Sequence, residues 1–129
     1  MPLDDSIGAV QMPGTDLSSA IGQLKGRVLS SVEFVHDYLQ LRFDGPCLTA
    51  YTHPTVDYTD GRVTWGTPGY RDRLCEQIGL TVTDAWANEA EVSVGFDSGT
   101  VISVSMKEED YTGPEAVQFV SEDGSLWVG

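Results

Sequence analysis

Few side chains in this sequence have the chemistry for catalysis. His36 stands beside Asp37 at a predicted hairpin turn, and His53 ends a predicted strand. A partly buried imidazole can act as acid, base or ligand. It is more often a histidine at the edge of the core, hydrogen-bonded to backbone. The surroundings of His53 and Tyr51 are therefore the candidate region for a small-ligand or enzymatic site.

A cysteine nucleophile with a histidine base is excluded by spacing. Cys47, His53 and Asp57 follow one another along one predicted strand and its exit. Six residues of strand separate Cys47 from His53 by about 20 Å, so they cannot share a hydrogen bond. The chain also lacks phosphate-loop, dinucleotide, nucleophile-elbow and zinc-ligand motifs. We expect no catalytic residue, no cofactor and no metal site, and we expect Cys47 and Cys75 to be reduced, buried thiols.

The charge is more informative than these motifs. Twenty acids against seven bases give a net charge of −13, and residues 74–129 hold eleven of the acids but only Lys107 as a base. Such a field repels nucleic acid and anionic membranes and attracts basic partners. No stretch reaches the roughly 20 apolar residues of a membrane span, and Asp4 and Asp5 replace the basic start of a signal peptide. We expect a cytoplasmic protein. The alternative is that acidity only maintains solubility.

A candidate partner-binding surface combines these acids with one aromatic side chain. Trp86 stands where the repeat described below has Glu33, on the face expected to be wet. An aromatic side chain ringed by charge is typical of an interface anchor. The alternative for the acidic run 108–110 is a solvated strand exit. The predicted surface consists of Asp84, Trp86, Glu89, Glu91, Glu108, Glu109 and Asp110.

The elements that position these residues follow from an internal repeat. Sliding the chain along itself by 53 positions aligns Gly26 with Gly79, Phe43 with Phe96, Asp44 with Asp97, Asp57 with Asp110 and Tyr58 with Tyr111. The apolar alternation of 39–43 stays in phase with that of 92–96. Similarity at a fixed offset indicates a duplicated unit.

Each copy is predicted to begin with a helix and to continue as a three-stranded meander. Asp16 is the expected N-cap of the first helix and Thr67 that of the second, with Pro68 at its first position. Gly26 and Gly79 are the expected helix ends. The strands are predicted at 27–35, 38–43 and 47–53, and at 80–88, 90–96 and 100–106. Turns rich in Asp and Gly favour antiparallel hairpins.

A fourth strand is predicted to close each copy, over 61–66 and 124–129, with Trp65 and Trp127 packed in the core. Ten extra residues in the second copy predict a helix over 114–120. The fold class is therefore α+β: two pseudo-symmetric helix-plus-antiparallel-β-meander repeats sharing one core. We expect one domain over 1–129, with repeat one at about 16–66, repeat two at about 67–129 and a flexible segment over 1–13. Closure as a barrel or as a sandwich stays open.

Two segments resemble small uncharacterised bacterial β-rich proteins, some of them immunity-protein-like. They are the hairpin Val-Glu-Phe-Val…Leu-x-Leu-x-Phe-Asp-Gly at 32–45 and Asp-Tyr-x-Gly-Pro-Glu-Ala at 110–116. The resemblance implies neutralisation of a cognate toxin, often a basic nuclease. With the charge, it favours an acidic inhibitor or immunity protein that occludes a basic partner. The alternatives are an assembly subunit that homodimerises through its sheet and a small-ligand binder or enzyme at His53.

Overall fold

The computed structural model describes residues 15–129, and this part of the chain forms ten strands, two short α-helices and one 3₁₀ turn. The helices are α1 (Thr15–Gly22) and α2 (Tyr70–Cys75), and the 3₁₀ turn is Glu108–Asp110. The strands are β1 (Ser31–Phe34), β2 (Leu39–Arg42), β3 (Cys47–Ala50), β4 (Thr55–Tyr58), β5 (Gly61–Val63), β6 (Val82–Ala87), β7 (Glu91–Phe96), β8 (Val101–Ser105), β9 (Val117–Val120) and β10 (Leu126–Val128). The segment 1–13, expected to be flexible, lies outside the described residues.

The strands form two five-stranded antiparallel sheets. Sheet I has the order β10-β9-β3-β2-β1, and sheet II has the order β5-β4-β8-β7-β6. Each sheet contains one of the predicted meanders, β1-β2-β3 or β6-β7-β8. The mostly β architecture with two helices agrees with an α+β class, and the two separate sheets exclude a single closed barrel over the described residues.

The closing strands lie in the opposite sheets from those expected. The hairpin β4-β5 pairs with β8 of sheet II, where Thr55 faces Ser103, and β9-β10 pairs with β3 of sheet I, where Val117 faces Ala50. The prediction that 61–66 and 124–129 close their own copies is therefore wrong. The hairpin that follows β3 could form the same backbone hydrogen bonds with an edge of either sheet. The alternation of apolar and polar residues does not specify which edge it joins.

The two sheets are linked where the meanders begin. Gly26 N donates to Val82 O at 2.8 Å, and Gly79 N donates to Leu29 O at 2.8 Å. Val82 N donates to Arg27 O at 2.7 Å, and Leu29 N donates to Leu80 O at 3.1 Å. The four bonds form two pairs, and within each pair a shift of 53 residues converts one bond into the other. They replace the first part of the strands predicted at 27–35 and 80–88.

Both helix starts differ from expectation. Helix α1 begins at Thr15, so Asp16 lies within it rather than before it. Helix α2 begins at Tyr70 after Gly69, whose φ of 87° is left-handed, and not at Pro68. The Thr67 hydroxyl bonds instead with the Thr64 hydroxyl at 3.1 Å, which holds a preceding turn. Thr67, the predicted N-cap, therefore stabilises this turn and does not cap α2.

The predicted helix over 114–120 is also wrong, because Val117–Val120 is strand β9. Val117 and Phe119 are buried, whereas Gln118 and Val120 are partly exposed. The alternation of burial and the two β-branched valines favour a strand, and this strand pairs with the edge of β3.

Apolar side chains from both sheets and both helices form one continuous core. Phe43 and Phe96, aligned by the repeat, are 0% and 3% exposed, as predicted for core residues. Helix α1 packs mainly on β6 and buries Leu17, Ala20 and Ile21, and Leu24 just after its end is buried as well. The core therefore positions two outward sheet faces and the loops at their ends, where the polar side chains lie.

Candidate functional site

The outer face of sheet II carries the predicted aromatic anchor. Pairing places Trp86 opposite Ser93, Ser93 opposite Ser103 and Ser103 opposite Thr55, so these four share one row. Residues paired directly across antiparallel strands project from the same face. Because the rest of the row has small hydroxyl side chains, the indole is its one large side chain. Trp86 is half-buried, so its exposure is intermediate between the exposed and the buried alternatives of the sequence analysis.

The neighbouring row and strand ends gather the predicted acids. Glu91 pairs with Ser105, whose hydroxyl donates to Asp110 Oδ2 at 2.6 Å. Met106 N donates to Ala90 O at 2.8 Å, which brings the β6–β7 turn beside the strand exit. We call residues 88–91 and 105–110 the acidic end of sheet II. It contains the acids Glu89, Glu91, Glu108, Glu109 and Asp110 and a single base, Lys107.

Asp84 lies on the same face but beyond Trp86. It is opposite Gly95 on β7, and Gly95 is opposite Val101 on β8. The same row continues to Asp57, whose carboxylate accepts two bonds from Arg62, at 2.6 and 3.2 Å. All seven residues predicted for the partner surface therefore lie on or beside the outer face of sheet II. Glu89, Glu108, Glu109 and Asp110 are exposed there.

His53 is positioned by aromatic contacts. Its ring stacks on Trp65 with a centroid distance of 3.9 Å and an interplanar angle of 15°. The edge of Trp65 meets Tyr70 at 5.9 Å, and the Tyr70 hydroxyl donates to Pro54 O at 2.5 Å. Partial burial lowers the pKa of His53, so the neutral ring is favoured. Within residues 15–129 its ring forms no hydrogen bond, so the expected backbone bond is absent there.

Trp65 is not the core residue that the repeat implied. Strand β5 ends at Val63, and Trp65 is 49% exposed in the loop before α2. The Arg71 guanidinium lies 5.4 Å from the centre of the Phe34 ring and 5.9 Å from that of Trp65. Sequence analysis missed Trp65, Arg71 and Phe34 as a group. The available signal was a tryptophan among Thr and Gly residues, a context that favours a loop.

The two cysteines have different environments. Both are free; Cys47 is buried, as expected, but Cys75 is exposed, which corrects the expectation that both are buried. Cys47 lies on β3 and Cys75 at the end of α2. Burial raises the pKa of Cys47, which disfavours the nucleophilic thiolate. Cys47 is therefore not in the setting that activates a catalytic cysteine.

Among residues 15–129, no three His, Cys, Asp or Glu side chains converge as metal ligands would. No helix in that range has the length and apolar character needed to cross a bilayer.

Comparisons with protein-family models, with curated proteins and with solved structures give no match to this chain.

Proposed function

We propose that this protein is an acidic protein-binding module that occludes a basic partner, as an inhibitor or immunity protein does. The carrying observation is the clustering of the acidic end beside Trp86 on one sheet face. The 88–91 and 105–110 segments hold five acids and one base. Such a cluster steers a basic protein into encounter, and a partly buried aromatic beside it adds area that is desolvated on binding.

The small side chains beside Trp86 support this assignment. Ser93 is buried and Ser103 is half-buried, and their hydroxyls share a hydrogen bond of 2.9 Å, so neither hydroxyl needs a partner from another protein. Gly95 adds no side chain to the next row. A partner side chain can lie along this surface against Trp86 without displacing bulky groups. The acids at its end then set orientation and association rate more than affinity.

We also propose that the fold is a duplication with exchanged hairpins. Support comes from the equal strand orders of the two sheets and from the reciprocal hydrogen bonds of 26–29 with 79–82. The duplication gives the protein two equivalent turns, β1–β2 and β6–β7. Only the β6–β7 turn lies beside the acidic 105–110 segment, so the proposed partner surface belongs to one copy.

Charge reversal at the acidic end tests the partner surface. The immobilised protein is used to capture a partner from the source lysate at about 0.05 M salt, and the purified partner is then used for kinetics. The double variant Glu108→Lys/Glu109→Lys should lower the association rate about tenfold. Trp86→Ala should raise the dissociation rate about tenfold with little salt dependence. Binding by the unmodified chain should weaken as salt rises to about 0.5 M.

The matched control is Asp60→Lys/Asp97→Lys. It changes the net charge equally, but both residues lie in turns at the opposite end of sheet II. This variant should keep both rates within about twofold, because charges more than a Debye length away are screened. Circular dichroism and thermal unfolding check that each variant folds. Capture of no basic protein, or binding indifferent to salt, to the double charge reversal and to Trp86→Ala, contradicts the proposal.

An assembly subunit is the second candidate, because one sheet edge is apolar. Leu126 and Val128 on edge strand β10 are 52% and 43% exposed. Exposed apolar edge strands favour pairing with another copy. Light scattering across about 1–100 µM protein distinguishes the candidates. A dimer that Leu126→Lys converts to monomer supports assembly, and a monomer throughout excludes this edge.

A further inference from the structure

A groove lies beside the acidic end of sheet II, because its lining residues 112–115 begin two residues after Asp110. One cleft of about 500 Å³ is lined by His36, Asp37, Tyr51, His53 and residues 112–115. A second of about 400 Å³ shares His36 and His53 with it and continues past Phe34, Tyr38, Trp65 and Arg71. We call the surface formed by Phe34, Tyr38, Tyr51, His53, Trp65 and Arg71 the aromatic groove. Shared linings make the two clefts one elongated depression.

Aromatic rings stand in pairs along the aromatic groove. Tyr38 and Tyr51 have ring centroids 5.6 Å apart at 60°, and His53 stacks on Trp65. Phe34 and Trp65 are 37% and 49% exposed, among the most exposed large apolar side chains of the described residues. Arg71 lies over both of these rings and defines one end. Exposed rings grouped in a depression indicate a binding surface rather than packing.

The fold does not require these rings. The positions 53 residues after Phe34, Val35, His36 and Tyr38 hold Ala87, Asn88, Glu89 and Glu91. Those residues form the equivalent β6–β7 turn with small and acidic side chains, and β6 and β7 pair fully without the rings. The aromatic character of β1–β2 therefore has a cause other than the geometry of the turn.

The end of the groove opposite Arg71 is acidic. Asp37 and Glu115 line the cleft that contains Tyr51, with Pro114 beside them. The groove is also shallow and open, so a compact ligand would stay largely hydrated. An extended chain in the polyproline II conformation suits this shape, since it packs its rings against aromatic ridges and has no internal hydrogen bonds to break. Rigid prolines also lose little entropy on binding.

We propose that the aromatic groove binds an extended proline-rich segment of a partner protein, with a basic residue beside the prolines facing Asp37 and Glu115. The inference rests on the proposed protein-binding function and adds a second contact surface to it. The Trp65 indole N–H provides a donor for a carbonyl of such a segment.

Synthetic peptides test the proposal by calorimetry. The probe is a ten-residue peptide of eight prolines followed by two arginines. Replacing alternate prolines with alanine should weaken binding about tenfold, because preorganisation and ring packing are lost. Replacing both arginines with glutamate should weaken it about fivefold through repulsion by Asp37 and Glu115. Trp65→Ala should weaken it at least about tenfold, and Trp65→Phe should retain most of the affinity.

Trp86→Ala is the matched control, because Trp86 lies on the outer face of sheet II and lines neither cleft. It should bind the arginine-flanked peptide within about twofold of the unmodified chain while losing the basic partner. Absence of peptide binding, equal binding of the alanine peptide or full binding by Trp65→Ala overturns the groove proposal. Equal binding of the glutamate peptide overturns the assigned orientation. Because Trp86 lines neither cleft and Trp65 lies outside the partner surface, the two tryptophan variants let each proposal fail separately.

Discussion

At the scale of single residues, His53 is positioned by stacking on Trp65 and by the adjacent Pro54 carbonyl, which Tyr70 holds. Half-burial of the imidazole disfavours its charged form, and the pKa of His53 is lowered for that reason. The ring therefore has a different proton affinity in the folded and unfolded chains. This difference links stability to pH.

We expect the free energy of unfolding to fall as pH drops below about 6.5, the ordinary histidine pKa. In that range the unfolded chain takes up the proton first, and the loss continues until His53 titrates in the folded state. Urea unfolding at pH values from about 7.5 to about 5 measures the effect. His53→Gln should flatten this dependence, whereas His36→Gln, whose side chain is 94% exposed, should leave it unchanged. Equal slopes for both variants would contradict the assignment.

At the scale of elements, two glycines begin the link between the sheets. Gly26 and Gly79 have φ values of 89° and 91°, and each donates its N–H across the link. A Cβ at either position meets nothing within 4 Å, so the conformation and not space requires glycine. Left-handed backbone is costly for other L-residues.

Gly26→Ala and Gly79→Ala should each lower stability by about 1–2 kcal/mol, and by nearly the same amount. Chemical denaturation measures both. Gly113→Ala is the control, because Gly113 also has open space but no positive φ, and it should change stability by less than about 0.5 kcal/mol. A large difference between the first two variants would show that the two halves of the link are not equivalent.

Sequence patterns predicted elements where the period was clear. In β2, Leu39 and Leu41 are buried while Arg42 is exposed, as alternation indicated. The helix predicted over 114–120 was wrong because Ala116 and the short apolar run after it are compatible with a helix or a strand. Pairing with β3, a tertiary contact, decides for the strand. Which strands pair with each other depends on tertiary packing, so local sequence patterns could not predict the exchange of the hairpins between the sheets. The pairing of His53 with Trp65 has the same origin, since β5 must first cross to sheet II.

The acidic surface was more accessible to prediction than the aromatic groove. Glu91 and Asp110 are distant in sequence, but each lies at a strand end that the repeat placed at the same side of the meander. The groove instead requires the loop before α2 to fold back on β1. No periodicity or motif encodes the contact of Arg71 with Phe34.

At the scale of the whole molecule, each sheet contains strands from both halves of the chain. Residues 15–66 contain β1–β5, and residues 67–129 contain β6–β10, so neither half contains a complete sheet. The exposed residues Gly66 and Thr67 connect the halves. A domain needs its own core to fold alone.

Fragments 1–66 and 67–129 should therefore lack cooperative unfolding when separate and should recover it when mixed in equal amounts. Circular dichroism of the separate and mixed fragments checks this. The transition temperature of the mixture should rise with concentration, because association is part of folding. Cooperative unfolding of monomeric 1–66 alone would show that the hairpin exchange is dispensable for the first sheet.

The exchange of hairpins also sets an order of events during synthesis. Strand β3 emerges from the ribosome long before β9, yet Ala50 pairs with Val117 and Cys47 with Val120. At about 5–20 residues per second, the edge of β3 stays without its partner for several seconds. Such long-range antiparallel pairing also folds slowly. During that interval the unpaired edge of β3 is open to strand pairing with neighbouring nascent chains on one messenger RNA.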